Sequence, residues 1–105
     1  NTLESRMLRY INAHLGENIS LEKMAQFYFI SRAQLCRRFK KATGTSIGTY
    51  ISTKRMLTAK AMLLDGKKPT EIYAACGYAD YSTFYRAYSK YYGHCPKEEG
   101  KNKEK

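Results

Sequence analysis

Apolar side chains recur every three or four residues along most of this chain, and no segment sustains the two-residue alternation of a strand, so the pattern predicts helices only. Leu3, Met7, Tyr10, Ile11 and Leu15 form one stripe over 1–15, which Gly16 ends. Ser20 is placed to cap a short second helix carrying Leu21, Met24, Ala25 and Tyr28, and Phe29-Ile30 is a tight connection into a helix capped by Ser31. After Gly44, Ser46 caps a long helix over 46–64 whose Ile47, Tyr50, Ile51, Met56, Ala59 and Leu63 recur at helical spacing, and Asp65-Gly66 terminates it. Pro69 and Thr70 open a short helix through Ile72, Tyr73 and Cys76, and Gly77 turns the chain before Asp80 caps another. The pattern predicts an all-α fold of about six or seven helices: helix-turn-helix over about 1–45, a linker helix over about 46–65, and helix-turn-helix over about 69–96. Residues 97–105 read as a polar, disordered tail.

The two helices capped by Ser31 and Asp80 are copies of one pattern. At a constant offset of 49, Ser31 aligns with Asp80, Leu35 with Phe84, Arg37 with Arg86, Phe39 with Tyr88, Lys41 with Lys90 and Gly44 with Gly93. Each copy has a capping oxygen, a bulky apolar residue four places on, an aromatic another four on, and a closing Gly. At about 100° per residue this places Leu35, Phe39 and Ala42 inward and Ala33, Arg37 and Lys40 outward, with Gln34 and Lys41 flanking. In the second copy Phe84, Tyr88 and Tyr91 point inward and Ser82, Arg86 and Ser89 outward. Each helix thus projects an Arg from its first two turns, as two probes for one polyanion would.

Composition sharpens that reading. The 105 residues carry 19 Lys and Arg against 9 Asp and Glu, a net charge of +10, which puts a positive field over much of a small domain. No apolar run approaches the ~20 residues of a membrane span, so no membrane partner is expected. Cys36, Cys76 and Cys95 form no C-x-x-C pair and no His clusters with them, so neither a metal site nor a cofactor is expected. Their odd number fits a reducing cytoplasm, with Cys76 and Cys95 as core or junction fillers and Cys36 beside the exposed face of its helix. His14 and His94 stand alone, no Ser or Cys has a base at helical spacing, and no Gly-rich loop precedes a helix, which leaves an enzyme without machinery. Tyr10, Tyr50, Phe84, Tyr88 and Tyr91 lie on inward faces, where core packing explains them better than stacking on unpaired bases. The lack of an initiator Met predicts a domain taken from a longer protein.

The residues in order, Ser20-Leu21, Leu35-x-Arg37-x-Phe39-Lys40, Gly44, Tyr50, Arg55, Ala59, Leu63, Glu71-Ile72, Gly77-Tyr78, Asp80-x-Ser82-x-Phe84-x-Arg86, Gly93 and Pro96, closely resemble the DNA-binding domain of AraC/XylS-type transcription regulators. The resemblance runs over roughly residues 5–98, far more than one short motif. It implies two helix-turn-helix subdomains joined by a long helix and reading two successive major-groove segments of double-stranded DNA. It implies a transcription regulator, an activator by analogy, with RNA polymerase as a further partner, a bacterial cytoplasmic setting at the nucleoid, and a sensing or dimerisation domain N-terminal to this one. By that carry-over Ala33, Gln34, Cys36 and Arg37 reach bases from the first recognition helix, and Tyr81, Ser82, Tyr85 and Arg86 from the second.

Side-chain chemistry supports those roles. Arg37 and Arg86 suit guanine O6 and N7, Ala33 a thymine methyl, and Gln34 adenine. Lys40, Lys41, Lys54, Lys60 and Lys90 suit phosphates, and Ser46 and Thr70 mark helix starts whose free amides suit phosphate too. Tyr81 and Tyr85 either touch the DNA or roof the core. Two other classes stay open on residues alone: a basic helical module for structured RNA or an anionic surface, and a protein-interaction domain. Three departures from the family pattern carry expectations of their own. Phe29 stands where Gly is common, which predicts a turn of non-glycine geometry; Tyr73 replaces a small Ala at a helix crossing, which predicts spread helices or an outward ring; and Glu99-Gly100 replaces a Tyr-Arg pair, which predicts that a last helix is frayed or absent.

Overall fold

The computed structural model describes residues 2–103, with side chains through Glu99, and among them every regular element is helical. In order these are α1 (Leu3–Ala13), α2 (Leu21–Phe27), α3 (Arg32–Thr43), α4 (Ile47–Leu64), α5 (Pro69–Ile72), α6 (Tyr81–Tyr92) and α7 (Pro96–Lys103). The chain divides between Ser52 and Thr53, within α4, into two compact units.

The first unit is built on short-range capping and one apolar cluster. Thr2 and Ser20 accept the backbone N–H of Ser5 and Lys23 to start α1 and α2, and Ser46 accepts the Thr49 N–H to start α4. Met7 and Ile11 of α1, Met24 and Ala25 of α2, Leu35 and Phe39 of α3, and Ile47 of α4 are buried together. Burying each of the larger side chains contributes about 1.5–3 kcal/mol before chain entropy is charged against it. Tyr50 closes the cluster edge-on to Phe39, with ring centroids 5.4 Å apart, and its hydroxyl donates to Asn12 Oδ1 at 3.0 Å. Arg38 grips Glu4 through Nε to Oε2 at 2.9 Å and Nη2 to Oε1 at 3.3 Å, tying α3 to α1 and holding the Glu4 carboxyl below its ordinary range.

The second unit repeats the plan with more aromatic weight. Met56, Ala59 and Leu63 of α4, Ile72 of α5, Cys76, and Phe84 and Tyr88 of α6 form its buried cluster. Asp80 accepts the Thr83 N–H at 2.8 Å to start α6, and that bond, with Arg86 nearby, lowers its carboxyl pKa. The segment after α5 continues as turns through Gly77, so the helix expected through Cys76 is regular only to Ile72. Tyr73 neither swings outward nor stands alone: its half-buried ring packs on the cluster, edge-on to Tyr81 at 6.1 Å.

Both helix-turn-helix turns use one backbone device. After α2, the Phe29 N–H bonds to Gln26 O and the Ile30 N–H to Ala25 O; after α5, Gly77 N–H bonds to Ala74 O and Tyr78 N–H to Tyr73 O. The residue at the centre must be left-handed, and both are, with φ +93° at Gly77 and +59° at Phe29. The expected non-glycine geometry is therefore corrected: Phe29 adopts the glycine geometry and bears a cost of about 1–2 kcal/mol for it. Its ring recovers nothing from the core, being 94% exposed.

Three further expectations change. Ala42 and Tyr91, expected inward, are exposed, because the buried stripes run Leu35, Phe39, Thr43 and Phe84, Tyr88, Tyr92 along the four-residue ridge of each helix. Tyr10 also lies at the surface. Of residues 97–105, expected as a disordered tail with a last helix frayed or absent, 97–103 lie in α7, while 104–105 lie outside the described residues. Glu99 explains α7: its buried Oε1 accepts from the Tyr88 hydroxyl at 2.6 Å and from His94 Nε2 at 2.6 Å.

Candidate nucleic-acid interface

The surface of α3 is basic from its first turn to its last. Arg32, Ala33, Gln34, Arg37, Lys40 and Lys41 are exposed, whereas Cys36, expected to reach bases, is half-buried against the first cluster. A thiol held there fills the core edge and has little reach into a groove. Ser31 accepts the Gln34 N–H at 3.1 Å while Gln34 Oε1 accepts the Ser31 N–H at 3.0 Å, a reciprocal box that fixes the start of the helix. The pair Ser31-x-x-Gln34 is the sequence signal of that box. Arg32, absent from the expected readers, is exposed at the first helical position, its Nη1 3.7 Å from Glu22 Oε1.

On α6, Ser82, Tyr85, Arg86 and Lys90 are exposed, and Tyr81 is not comparable to them. Its half-buried ring packs against the second cluster, and its hydroxyl is buried with no hydrogen-bond partner, so Tyr81 roofs the core. The same α6 face carries both signs of order seen in α3: an oxygen cap at the start, and a left-handed Gly at the end with φ +79° at Gly93 and +82° at Gly44. Arg37 and Arg86 therefore occupy the same register of two helices with matching ends.

The expected phosphate ligands divide. Lys40, Lys41 and Lys90 are exposed in the last turns of α3 and α6. Lys60 is half-buried with its Nζ 4.9 Å above the Tyr92 ring, an engagement that competes with phosphate binding. Lys54 is half-buried as well. Ser46 is exposed but its hydroxyl is occupied, accepting from Thr49 N–H at 3.2 Å and donating to Thr49 Oγ1 at 3.0 Å. Thr70 is exposed at the second position of the four-residue α5, which has no side-chain cap. Among the described residues no three His, Cys, Asp or Glu come together as metal ligands, and no helix is long and apolar enough to cross a membrane.

Two capped, basic helices, each following a tight left-handed turn, define a twofold helix-turn-helix protein. The pattern of the helix-turn-helix domain family matches residues 24–102, and the chain belongs to the AraC/XylS-type family of DNA-binding transcription regulators. It is 30% identical over 88 residues to a protein from Photobacterium leiognathi described as the probable transcriptional regulator LumQ, covering 83% of this chain and 36% of that protein. It is 30% identical over 92 residues to the xylose operon regulatory protein of Escherichia coli K12, covering 87% of this chain and 24% of that one. The chain thus spans roughly a quarter to two fifths of such relatives. Among solved structures, the C-terminal domain of AraT, a response regulator from Geobacillus stearothermophilus, superposes with a TM-score of 0.89 at 27% identity, covering 97% of this chain and 86% of that one. The DNA-binding domain of the global transcriptional factor AdpA, captured with a target DNA, shares the fold with a TM-score of 0.87 at 21% identity, over 97% of this chain and 93% of that one.

Proposed function

We propose that α3 and α6 are the two recognition helices of a sequence-specific double-stranded DNA reader, each entering a major-groove segment. The observation that carries this is the register match of Arg37 and Arg86 on two exposed helices of a +10 chain, each with an oxygen cap at its start and a left-handed Gly at its end. Arg37 and Arg86 donate in pairs to guanine, with Ala33, Gln34, Ser82 and Tyr85 as neighbouring readers. Lys40, Lys41 and Lys90, with Arg32, hold the phosphates. Cys36 and Tyr81 support these helices from the core side, and Lys60 is given to Tyr92.

The reading extends to transcription activation, with RNA polymerase as the partner contacted once DNA is bound. A relative described as the XylDLEGF operon transcriptional activator of Pseudomonas putida is 29% identical over 97 residues, covering 89% of this chain and 30% of that protein, which supports it. A sensing or dimerisation domain elsewhere in the full-length protein completes the proposal. The test is selection of bound duplexes from a random pool, in which one asymmetric motif with two half-elements should emerge. Recovery of unselected sequences, or of structured RNA in preference to duplex, would refute the reading.

A further inference from the structure

Gln34 is a proposed base reader whose side chain is already committed to the fold. The Ser31 N–H can be met only by an acceptor, so the amide oxygen, Oε1, is the end turned back onto the helix start, at 3.0 Å. Adenine is read by an amide only when oxygen and nitrogen are offered together, one accepting from N6 and the other donating to N7. Oε1 keeps a second lone pair, but with that atom turned back onto the helix start the end left to reach a base is Nε2, which carries two donors and no acceptor.

We propose that the capping box makes Gln34 present its donor end to DNA, so that it selects guanine, whose O6 and N7 are two adjacent acceptors, and rejects cytosine, whose groove edge offers a donor. This inference rests on α3 being a recognition helix, and it reverses the adenine pairing that glutamine suggests when read from sequence alone. Helix start and base choice are then set by one side chain. The Ser31 φ of −76° lies within the range of proline, so the amide hydrogen that imposes the restriction is removable without changing φ there, together with the hydroxyl that caps the Gln34 N–H.

The experiment selects bound duplexes from a random pool with the wild type, Gln34→Glu, Gln34→Ala and Ser31→Pro, after circular dichroism establishes helix content for each. Gln34→Glu keeps an acceptor for the Ser31 N–H but loses both donors, so the wild-type guanine should give way to cytosine and affinity for the guanine site should fall about tenfold or more. Gln34→Ala should lose all preference at that position and keep the rest of the motif. Ser31→Pro, if folded, frees Oε1 and should move the preference toward adenine; if it does not fold, the two Gln34 variants decide the matter. A wild-type preference for any base other than guanine at the position these variants alter, or a motif unchanged by both Gln34 variants, overturns the inference while leaving DNA reading intact. Loss of any selected motif in the wild type would instead remove the proposed function beneath it.

Discussion

Phe29 shows how far one residue can depart from its local preference when the surrounding turn demands it. Its N–H and that of Ile30 close α2 on Gln26 and Ala25, so φ is +59° whatever side chain stands there. The ring is 94% exposed and buries almost nothing. Phe29→Gly removes the steric cost of about 1–2 kcal/mol and adds about 0.5–1 kcal/mol of backbone entropy, so the first unit should gain up to about 1.5 kcal/mol. Urea unfolding followed by circular dichroism should show a raised midpoint; a lowered one would mean that the ring makes a contact worth more than its strain. Arg37 carries the functional prediction at this scale. Arg37→Ala should cost roughly 1–3 kcal/mol on the preferred duplex and relax one or two base positions, whereas Lys41→Ala should weaken all sequences alike. A uniform loss from Arg37→Ala, with the selected motif unchanged, would make Arg37 a phosphate clamp.

Among the elements, α3 and α6 were legible because their signals are local: a capping oxygen, a four-residue apolar ladder and a terminal Gly lie within each segment. The inward assignment of Ala42 and Tyr91 failed because periodicity fixes a face only to within a residue or so, and the ridge that packs runs through Thr43 and Tyr92 instead. The last helix was illegible for a different reason. Nothing in Pro96-Lys97-Glu98-Glu99 signals a core contact, since a charged residue is seldom buried unless paired, and the pairing of Glu99 depends on Tyr88 and His94. Burial pushes the Glu99 carboxyl up, but hydrogen bonds from Tyr88 and His94 outweigh it and hold the group below its ordinary 4.5. The same burial, with Glu99 beside it, drives the Tyr88 hydroxyl far above its usual range. A carboxyl lowered on folding stabilises fully above its unfolded value and loses that contribution as pH falls through the folded one. The second unit should therefore lose stability as pH drops below about 4.5, and Glu99→Gln should show less of that acid dependence in Tm measured against pH. An acid limb of equal depth in the variant would place the titrating group elsewhere.

At the scale of the molecule, charge and repetition told more than any single position. The excess of basic residues points to a polyanion partner, and the 49-residue offset to two matching helices. What neither could give was which basic side chains remain available, because Arg38 on Glu4 and Lys60 over Tyr92 are choices made by packing between distant segments. Binding to a selected duplex should weaken steeply with salt, log affinity falling about 0.9 per phosphate contacted for each unit of log salt. A nearly flat dependence would contradict a phosphate-anchored complex. Arg37→Ala and Arg86→Ala should relax separate halves of the motif; relaxation of the same positions by both would mean that the halves are not read by different helices.

On the proposed reading of Gln34, the box between Ser31 and Gln34 also limits how this protein's target can drift. Of the side chains that keep the box closed, Gln and Glu are the natural choices, and they differ in whether they leave a donor or an acceptor free. Any other residue at 34 keeps the Ser31 hydroxyl on its own backbone N–H but leaves the Ser31 N–H without that acceptor, so an operator change at that base carries part of the box's stability with it. Over generations, then, the site should toggle between two letters rather than wander among four, and changes at residue 34 should travel with changes at residue 31.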